Sequence, residues 1–149
     1  MTTNITLATE EDLDRVLSLM ERFHDERGIA SDDGLRRRAV EPLLSGSPHG
    51  AIWLMGPTRA PLGYVLVTFG WSVAYGGTEG WVDEVFIRPS VRRRGIGTEV
   101  LHAIAVSLTG AGVRALHTRL ASENTDAQRF CARVGFEPRG GLLVMTDVL

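Results

Sequence analysis

The chain is poor in cysteine, in net charge and in long apolar runs. Cys131 is the single cysteine in 149 residues, so no internal disulfide can form and the fold is expected to be independent of redox conditions. The formal net charge is -2, which gives no overall attraction to nucleic acid or to anionic membranes. Any anion-binding site must therefore be local.

The sequence pattern also lacks a membrane span and a secretory signal. A transmembrane helix needs about 20 apolar residues, and no stretch of the sequence is that long and apolar. Acidic residues within positions 10–14 occupy the part of the chain where a secretory signal would be apolar. We therefore expect a cytoplasmic protein whose partners include neither a membrane nor nucleic acid.

Length and composition predict a single domain over residues 1–149. An apolar share of 44% in a chain of this length can fill a core without a metal or a disulfide. The histidines have no ligand spacing, so no metal site is expected. They are His24, His49, His102 and His117. Surface or packing roles are the commoner ones for such residues.

The hydrophobic period changes along the chain. Apolar residues at helical spacing predict four helices, at 13–23, 35–44, 96–108 and 124–134. Shorter apolar runs bounded by turn residues predict strands at 5–7, 51–55, 62–69, 80–88 and 113–120. Residues 136–149 contain two further short strand candidates, split at Gly140-Gly141.

Three arginines and a pair of glycines follow the strand that Pro89 ends. In Arg92-Arg93-Arg94-Gly95-Ile96-Gly97 the glycines carry no Cβ, and the next segment predicts an amphipathic helix. Backbone N–H groups at the start of a helix attract anions, and Thr98 adds a hydroxyl there. A turn that only caps the helix, with exposed arginines, is the alternative. The context favours a phosphate site.

Other classes of anion site fit less well. A dinucleotide fingerprint needs a third glycine where Val100 stands and an acidic residue where Leu120 and Ala121 stand. A phosphate-loop NTPase needs Gly-Lys-Ser/Thr, which is missing. An RNA-binding arginine cluster would be expected beside an aromatic stacking platform in a basic domain. This sequence has no such platform beside the arginines, and its net charge is -2.

Two motifs at a characteristic distance suggest a family. R-x-x-G-x-G at 92–97 follows the strand W-V-D-E-V-F-I-R-P, and N-x-x-A-x-x-F-C-x-x-x-G-F covers Asn124–Phe136. This combination resembles the GCN5-related N-acetyltransferase (GNAT) family, and its pattern is closest to polyamine-type and small-amine acetyltransferases. The resemblance implies an α/β (α+β) fold with a central, mixed, mostly antiparallel sheet of six to seven strands, splayed central strands and four flanking helices.

The resemblance also implies acetyl-CoA as the cofactor. In the family, the backbone of the third long strand pairs with the pantetheine arm, and the amides of the glycine-rich turn hold the pyrophosphate while its first arginine braces the turn. The start of the last helix contacts the pantetheine from the other wall. The residues implied for the cofactor are Val85, Phe86, Ile87, Arg92, Arg93, Arg94, Gly95, Ile96, Gly97, Thr98, Asn124, Ala127 and Cys131.

The implied reaction needs a group that removes a proton from the acceptor amine. An alkylammonium has a pKa near 10.4 and cannot attack while it is protonated. Asp83 and Glu84 are the candidates, and side-chain alternation predicts that they lie on opposite faces of the strand. Asp83 occupies the position that resembles the glutamate of polyamine-type members, with a bridging water expected. Either carboxylate taken singly could also be a solvated or salt-bridged strand residue.

Cys131 departs from the family pattern, because many members carry a tyrosine there as the acid that protonates the leaving thiolate. A lone cysteine on the apolar face of a helix is more often a small buried hydrophobe, and we favour that interpretation. Water, the ammonium product, Tyr64 or Tyr75 would then supply the proton.

The acceptor remains open at this stage. Four residues are candidates for the acceptor pocket: Phe23, His24, Trp71 and Tyr75. A small-molecule primary amine is the expected acceptor. A protein lysine or N-terminal amine, or a non-catalytic acyl-CoA-binding module, are the alternatives. A homodimer is compatible with the pattern but does not follow from it.

Overall fold

The computed structural model describes residues 2–149. It is an α+β structure with a mixed five-stranded sheet and four α-helices, together with two one-turn 3-10 helices. The chain divides into two compact units, the first ending at Arg119 and the second formed by Leu120–Leu149. Among the described residues, no helix has both the length and the apolar character needed to cross a bilayer.

The first unit contains all five strands and three of the helices. The strands are β1 (Ile5–Leu7), β2 (Gly50–Met55), β3 (Gly63–Ser72), β4 (Gly77–Ile87) and β5 (Ala115–Thr118), and the helices are α1 (Leu13–Arg27), α2 (Asp33–Leu44) and α3 (Ile96–Gly110). Helix α4 (Thr125–Val134) belongs to the second unit. All four helices arise where the apolar spacing predicts them.

The sheet follows the chain order β1-β2-β3-β4-β5. Neighbours are antiparallel except β4 and β5, which are parallel. A parallel pair needs a long crossover connection, and α3 lies in that connection. The loop that precedes α3 is thereby placed at the end of β4.

The main core cluster joins α1 and α2 to one face of the sheet. Val16, Leu19 and Met20 on α1 and Val40 on α2 are almost fully buried in it. Burying a side chain of this size contributes roughly 1.5–3 kcal/mol. From the sheet, Tyr64 of β3 and Phe86 of β4 join the same cluster, so this face of β4 lies against α1.

Strand β4 carries a β-bulge at Asp83. The register pairs Leu66 with Glu84 and the next residue, Val67, with Val82, which leaves Asp83 as an extra residue. A bulge bends its strand and interrupts the alternation of side chains. The face on which each carboxylate lies is therefore set by the bulge and not by a simple count along the strand.

The prediction of six to seven strands is wrong, because the described chain has five. The two short strands predicted within 136–149 do not form, and that segment is irregular. Its apolar side chains are exposed, Leu143 and Met145 at 89% each. A strand needs a neighbour to pair with, and the second unit, Leu120–Leu149, contains no strand.

Candidate active site

The loop between β4 and α3 has the backbone shape of an anion site. Arg93 has φ 65° and is the one non-glycine residue with a positive φ among residues 2–149. Gly95, at φ 76°, is the N-cap of α3 and offers no side-chain cap. Left-handed residues next to right-handed ones turn successive N–H groups toward one point. A Cβ built on Gly95 would meet no atom within 4 Å, so space is open on that side of the loop.

The N–H groups of residues 93–98 are available to a ligand. Within the described chain no hydrogen bond from these amides to another backbone group is formed. The start of a helix carries about half a positive charge, and the exposed side chains of Arg93 and Arg94 add two formal ones. Gly97, in the first turn of α3, is buried.

Arg92 has a different role from its two neighbours. Its Nε donates to the carbonyl of Ile87 at 2.8 Å, and its Nη2 lies 2.8 Å from both carboxylate oxygens of Glu26. The guanidinium carbon is 5.6 Å from the centre of the Phe86 ring. Arg92 is thus bound within the chain and joins the loop to the end of β4 and to α1.

Beyond the bulge, one edge of β4 has no strand beside it in the described chain. Strand β5 pairs with β4 only from Glu79 to Val82. The N–H of Arg88 donates to the carbonyl of Leu62 on the β3 side at 2.8 Å. Because neighbouring residues turn their backbone groups to opposite edges, those of Val85 and Ile87 point to the open edge. An extended ligand could pair with them as an added strand.

Glu84 is held by two donors at its two oxygens. The Tyr64 hydroxyl donates to Oε1 at 2.7 Å, and His24 Nε2 lies 2.7 Å from Oε2. Tyr64 is fully buried. Burial first, and then the Glu84 carboxylate, raise the pKa of Tyr64 far above its usual range, so this hydroxyl keeps its proton. Glu84 therefore has a fixed orientation.

The ring of His24 is fixed from its other side as well. Nδ1 lies 2.6 Å from the hydroxyl of Ser31, in the connection between α1 and α2, and that hydroxyl accepts from Arg36 Nη1 at 2.8 Å. The neighbouring Phe23 ring makes an edge contact with Tyr64 at a centroid distance of 6.3 Å. The structure thus places His24 against Glu84 and Phe23 against Tyr64.

Asp83 lies on the same face of the sheet as Glu84, so the predicted opposite placement is wrong. Thr68 pairs with Trp81 and is on the face of Leu66, the partner of Glu84. The Thr68 hydroxyl donates to Asp83 Oδ2 at 3.1 Å, which puts this carboxylate on that face too. The extra residue of the bulge is the reason, since the two residues of a bulge share one partner. Arg119 Nη1 lies 3.7 Å from Asp83 Oδ1.

Trp71 and Tyr75 lie at the far end of the β3–β4 hairpin. Trp71 is 72% exposed, and its register places it on the sheet face opposite Thr68. Tyr75 is 40% exposed in the turn, and its ring centre is 5.7 Å from that of His117. The structure does not bring either side chain to Glu84 through any contact it describes.

A cluster of side chains beside Asp83 is not predicted from the sequence. It consists of Glu79, Trp81, His117 and Arg119. The ring of Trp81 contacts the His117 ring, at a centroid distance of 4.7 Å and a tilt of 36°, and the Arg119 guanidinium, 3.9 Å from its centre. Glu79 accepts from Trp81 Nε1 at 3.3 Å and lies 2.9 Å from His117 Nε2. The alternation of Glu79, Trp81 and Asp83 along β4 is the one signal that could have found it.

The second unit contains the remaining predicted cofactor residues. Asn124 caps α4, because its side chain accepts from the Ala127 N–H at 3.1 Å. Cys131 is buried, and desolvation raises the pKa of its thiol. These features agree with our structural interpretation of the cysteine. No group of three or more His, Cys, Asp or Glu side chains within residues 2–149 could hold a metal ion.

The geometry agrees with a family comparison. The model of the acetyltransferase (GNAT) family matches residues 7–136. The chain belongs to the GNAT family. Membership makes the protein an N-acetyltransferase, in a family that uses acetyl-CoA. No curated protein sequence matches the chain.

Solved structures share the fold over nearly the whole GNAT chain. An integron cassette protein from the mobile metagenome of Cole Harbour Salt Marsh is 31% identical, with a TM-score of 0.85. The match covers 97% of this chain and 90% of that protein. An aminoglycoside N-acetyltransferase, AAC(6')-Iy, in complex with CoA is 18% identical with a TM-score of 0.81 (97% and 94% covered). An aminoglycoside acetyltransferase from an uncultured soil metagenomic sample, in complex with sisomicin, is 13% identical with a TM-score of 0.80 (99% and 96% covered).

Proposed function

We propose that this GNAT protein transfers the acetyl group of acetyl-CoA to a primary amine of a small molecule, by direct attack within a ternary complex in the cytoplasm. One observation carries the proposal. The open edge of β4 leads directly into the loop with the free amides, and Glu84 stands on the same strand one residue before that edge begins.

The residues present fit acetyl-CoA. The amides of residues 93–98, with Arg93 and Arg94, suit the pyrophosphate, since the loop is open at Gly95 and positively charged. The outward N–H and carbonyl groups of Val85 suit the amides of the pantetheine arm. For Asn124, Ala127 and Cys131 of the second unit, the proposed contact with the pantetheine arm rests on the family resemblance alone. When bound, the cofactor supplies an acetyl group already activated as a thioester.

The chain's own residues then have to handle one proton and one developing charge. We assign proton removal from the acceptor ammonium to Glu84, directly or through a water. Its two donors, Tyr64 and His24, orient the carboxylate and leave its other lone pairs free to accept. An outward N–H on β4 is suited to donate to the oxyanion of the attacked carbonyl. Asp83, more exposed and bound to Thr68, is the second carboxylate of the site.

The face that carries both carboxylates suits a cationic acceptor. Three carboxylates, Glu79, Asp83 and Glu84, line it on β4, against one guanidinium, that of Arg119, which lies over the Trp81 ring. Two of the solved structures described above are aminoglycoside acetyltransferases, which act on small molecules with several amines. We propose an acceptor with more than one amine on this face, bounded by Phe23 and His24 and, at the hairpin turn, by Tyr75, which contacts His117. Trp71 lies on the opposite face and is not part of the proposed region.

An amine panel tests the proposal. Acetyl-CoA is incubated with the protein and with aminoglycosides, linear polyamines, single amino acids or a lysine peptide, and the release of free thiol is followed. We expect turnover with a small polyamine or aminoglycoside, and its loss in Glu84→Gln with CoA affinity retained. Turnover only with the peptide would indicate a protein acetyltransferase. Tight CoA binding without turnover on any amine would indicate a non-catalytic binding module.

A further inference from the structure

A chain of polar side chains behind Glu84 ends on a buried arginine. Arg36, on α2, is 8% exposed, yet it forms no ion pair among the described residues. Its Nη1 donates to Ser31, and its Nε is buried without a partner in the described chain. A buried charge is normally paired with an opposite one. Here the nearest carboxylate that the hydrogen bonds lead to is Glu84, through Ser31 and His24.

The direction of each hydrogen bond in this chain follows from its two ends. A guanidinium can only donate, so the Ser31 oxygen accepts from Arg36 and its own hydrogen is free for another acceptor. His24 Nδ1 is that acceptor, 2.6 Å away. At the other end an ionised carboxylate can only accept. His24 Nε2, 2.7 Å from Glu84 Oε2, therefore carries the ring proton.

We propose that Arg36 and Ser31 fix His24 as the neutral tautomer with its proton on Nε2 and, through it, position Glu84 to act as the base. The positioning role rests on the proposed acetyl transfer, whereas the tautomer does not. Neither Arg36 nor Ser31 touches the reacting atoms. They are positioning residues that act through the imidazole.

The other two states of His24 fit the surroundings less well. With the proton on Nδ1, the lone pair of Nε2 would face the Glu84 carboxylate at 2.7 Å without a hydrogen between them. With both nitrogens protonated, Ser31 would accept from two cations, and its own hydrogen would have no acceptor among the described residues. The groups that face the ring are Glu84 of β4, with Tyr64 of β3 behind it, Ser31 and Arg36, and the apolar Phe23. Only one carboxylate is among them.

Nitrogen NMR on the ligand-free protein tests the tautomer without any assay. In protein labelled with ¹⁵N at histidine, the His24 resonances are identified by their loss in His24→Gln. We expect one nitrogen of the protonated type and one of the unprotonated type, with the proton assigned to Nε2 through its couplings to the ring hydrogens. Ser31→Ala should move His24 toward a mixture of tautomers, whereas Ser31→Thr, which keeps the hydroxyl, should not.

The same variants test the positioning role. Ser31→Ala should lower kcat by about tenfold, the effect of one lost hydrogen bond, and should change the pH profile of kcat, with the KM for acetyl-CoA unchanged. Arg36→Met should behave like Ser31→Ala, and Arg36→Lys, which retains a donor, should restore part of the rate. Ser31 is the primary site for the test because it is only partly buried, so its variant is expected to fold.

The possible results separate the two proposals. A wild-type His24 that carries its proton on Nδ1 or on both nitrogens overturns the inference, as does a Ser31→Ala spectrum identical to wild type. The expected tautomer, with the expected shift in Ser31→Ala but with unchanged kcat in both Ser31 and Arg36 variants, overturns the positioning role. The expected tautomer in a protein that acetylates no amine refutes the proposed function and leaves the tautomer assignment standing.

Discussion

Arg92 and Glu26 join the loop in front of α3 to helix α1, with one guanidinium nitrogen 2.8 Å from each oxygen of the carboxylate. The same arginine also donates to the carbonyl of Ile87 at the end of β4. Both side chains of the ion pair are more than a third exposed, so the pair contributes at most about 1 kcal/mol to stability. The ion pair matters because it holds the loop in place. Arg92 therefore has a structural role, whereas the exposed side chains of Arg93 and Arg94 contribute positive charge.

Arg92→Met and Arg94→Met should therefore weaken CoA binding in different ways. Arg92→Met removes the brace, and we expect a loss of about tenfold. Part of this loss should persist at high salt, because the hydrogen bond to the Ile87 carbonyl has a neutral acceptor, whereas the exposed ion pair with Glu26 is screened. Arg94→Met removes an exposed charge, and its smaller effect should fade as ionic strength rises. Calorimetry with CoA at two salt concentrations distinguishes them. Equal salt dependence in both variants would contradict the bracing role.

Gly95 offers a matched pair of variants for the anion site. Asparagine tolerates a positive φ better than most residues, so Gly95→Asn and Gly95→Asp share nearly the same shape and strain and differ by one negative charge. We expect Gly95→Asp to bind CoA at least about tenfold more weakly than Gly95→Asn, a difference of roughly 1.4 kcal/mol, with both proteins folded. If the two variants bind CoA equally, the pyrophosphate does not lie at this loop.

The two carboxylates of β4 should not be equivalent. Glu84→Gln should lower kcat by about a hundredfold or more, the usual contribution of a general base, because Glu84 alone is oriented by two buried donors. Asp83→Asn should stay within about tenfold of wild type, since Thr68 can still donate to the amide oxygen. Steady-state rates across pH with the best amine of the panel measure both. The reverse order of effects would assign the base to Asp83.

Tyr64 should make stability fall at alkaline pH. Its pKa is raised by burial and by Glu84, so the folded protein keeps a proton that the unfolded chain loses above about pH 10. The unfolded state then binds fewer protons, and the free energy of unfolding falls by about 1.4 kcal/mol per pH unit. Tyr64→Phe should remove this slope, after losing about 1–3 kcal/mol at neutral pH with its hydrogen bond. Tyr75→Phe, at the exposed turn, is the control and should keep the slope.

Cys131→Ala should leave the enzyme active. The thiol is buried, and desolvation raises its pKa. Coenzyme A thiolate is a good leaving group, so its protonation need not limit the rate. We expect a stability loss of about 1 kcal/mol from reduced packing and a kcat within a small factor of wild type. Rates for wild type, Cys131→Ala and Cys131→Tyr on one amine decide the point, and a drop of several hundredfold in the alanine variant alone would make the thiol the acid.

The loop from Arg92 to Thr98 could be predicted because its determinants are local. Pro89 ends the strand, the glycines permit the turn, and helical spacing follows within a few residues. The donors around Glu84 could not be predicted in this way. His24 is 60 positions away in sequence and Tyr64 is 20. His24 meets Glu84 because α1 packs on the sheet, and Tyr64 meets it because β3 pairs with β4. Neither contact follows from a local spacing rule.

The errors have the same physical origin. Alternation along Val82, Asp83 and Glu84 misplaces one carboxylate, because nothing in these three residue types shows that one of them is unpaired. The sequence of 136–149 predicts two short strands, but strand formation depends on a neighbouring edge that the sequence of the segment cannot show. Both features depend on how separate segments meet.

The extra residue in β4 has a consequence for insertions and deletions. Because Val82 already pairs with Val67 and Glu84 with Leu66, deleting Asp83 would restore an uninterrupted ladder with every remaining pair unchanged. Glu84 would still face His24. The deletion would straighten the strand whose open edge begins at Val85, and so it would separate the contribution of the backbone path from that of the carboxylate. Deletion of this single residue is therefore expected to remove the bend without changing the register of the sheet.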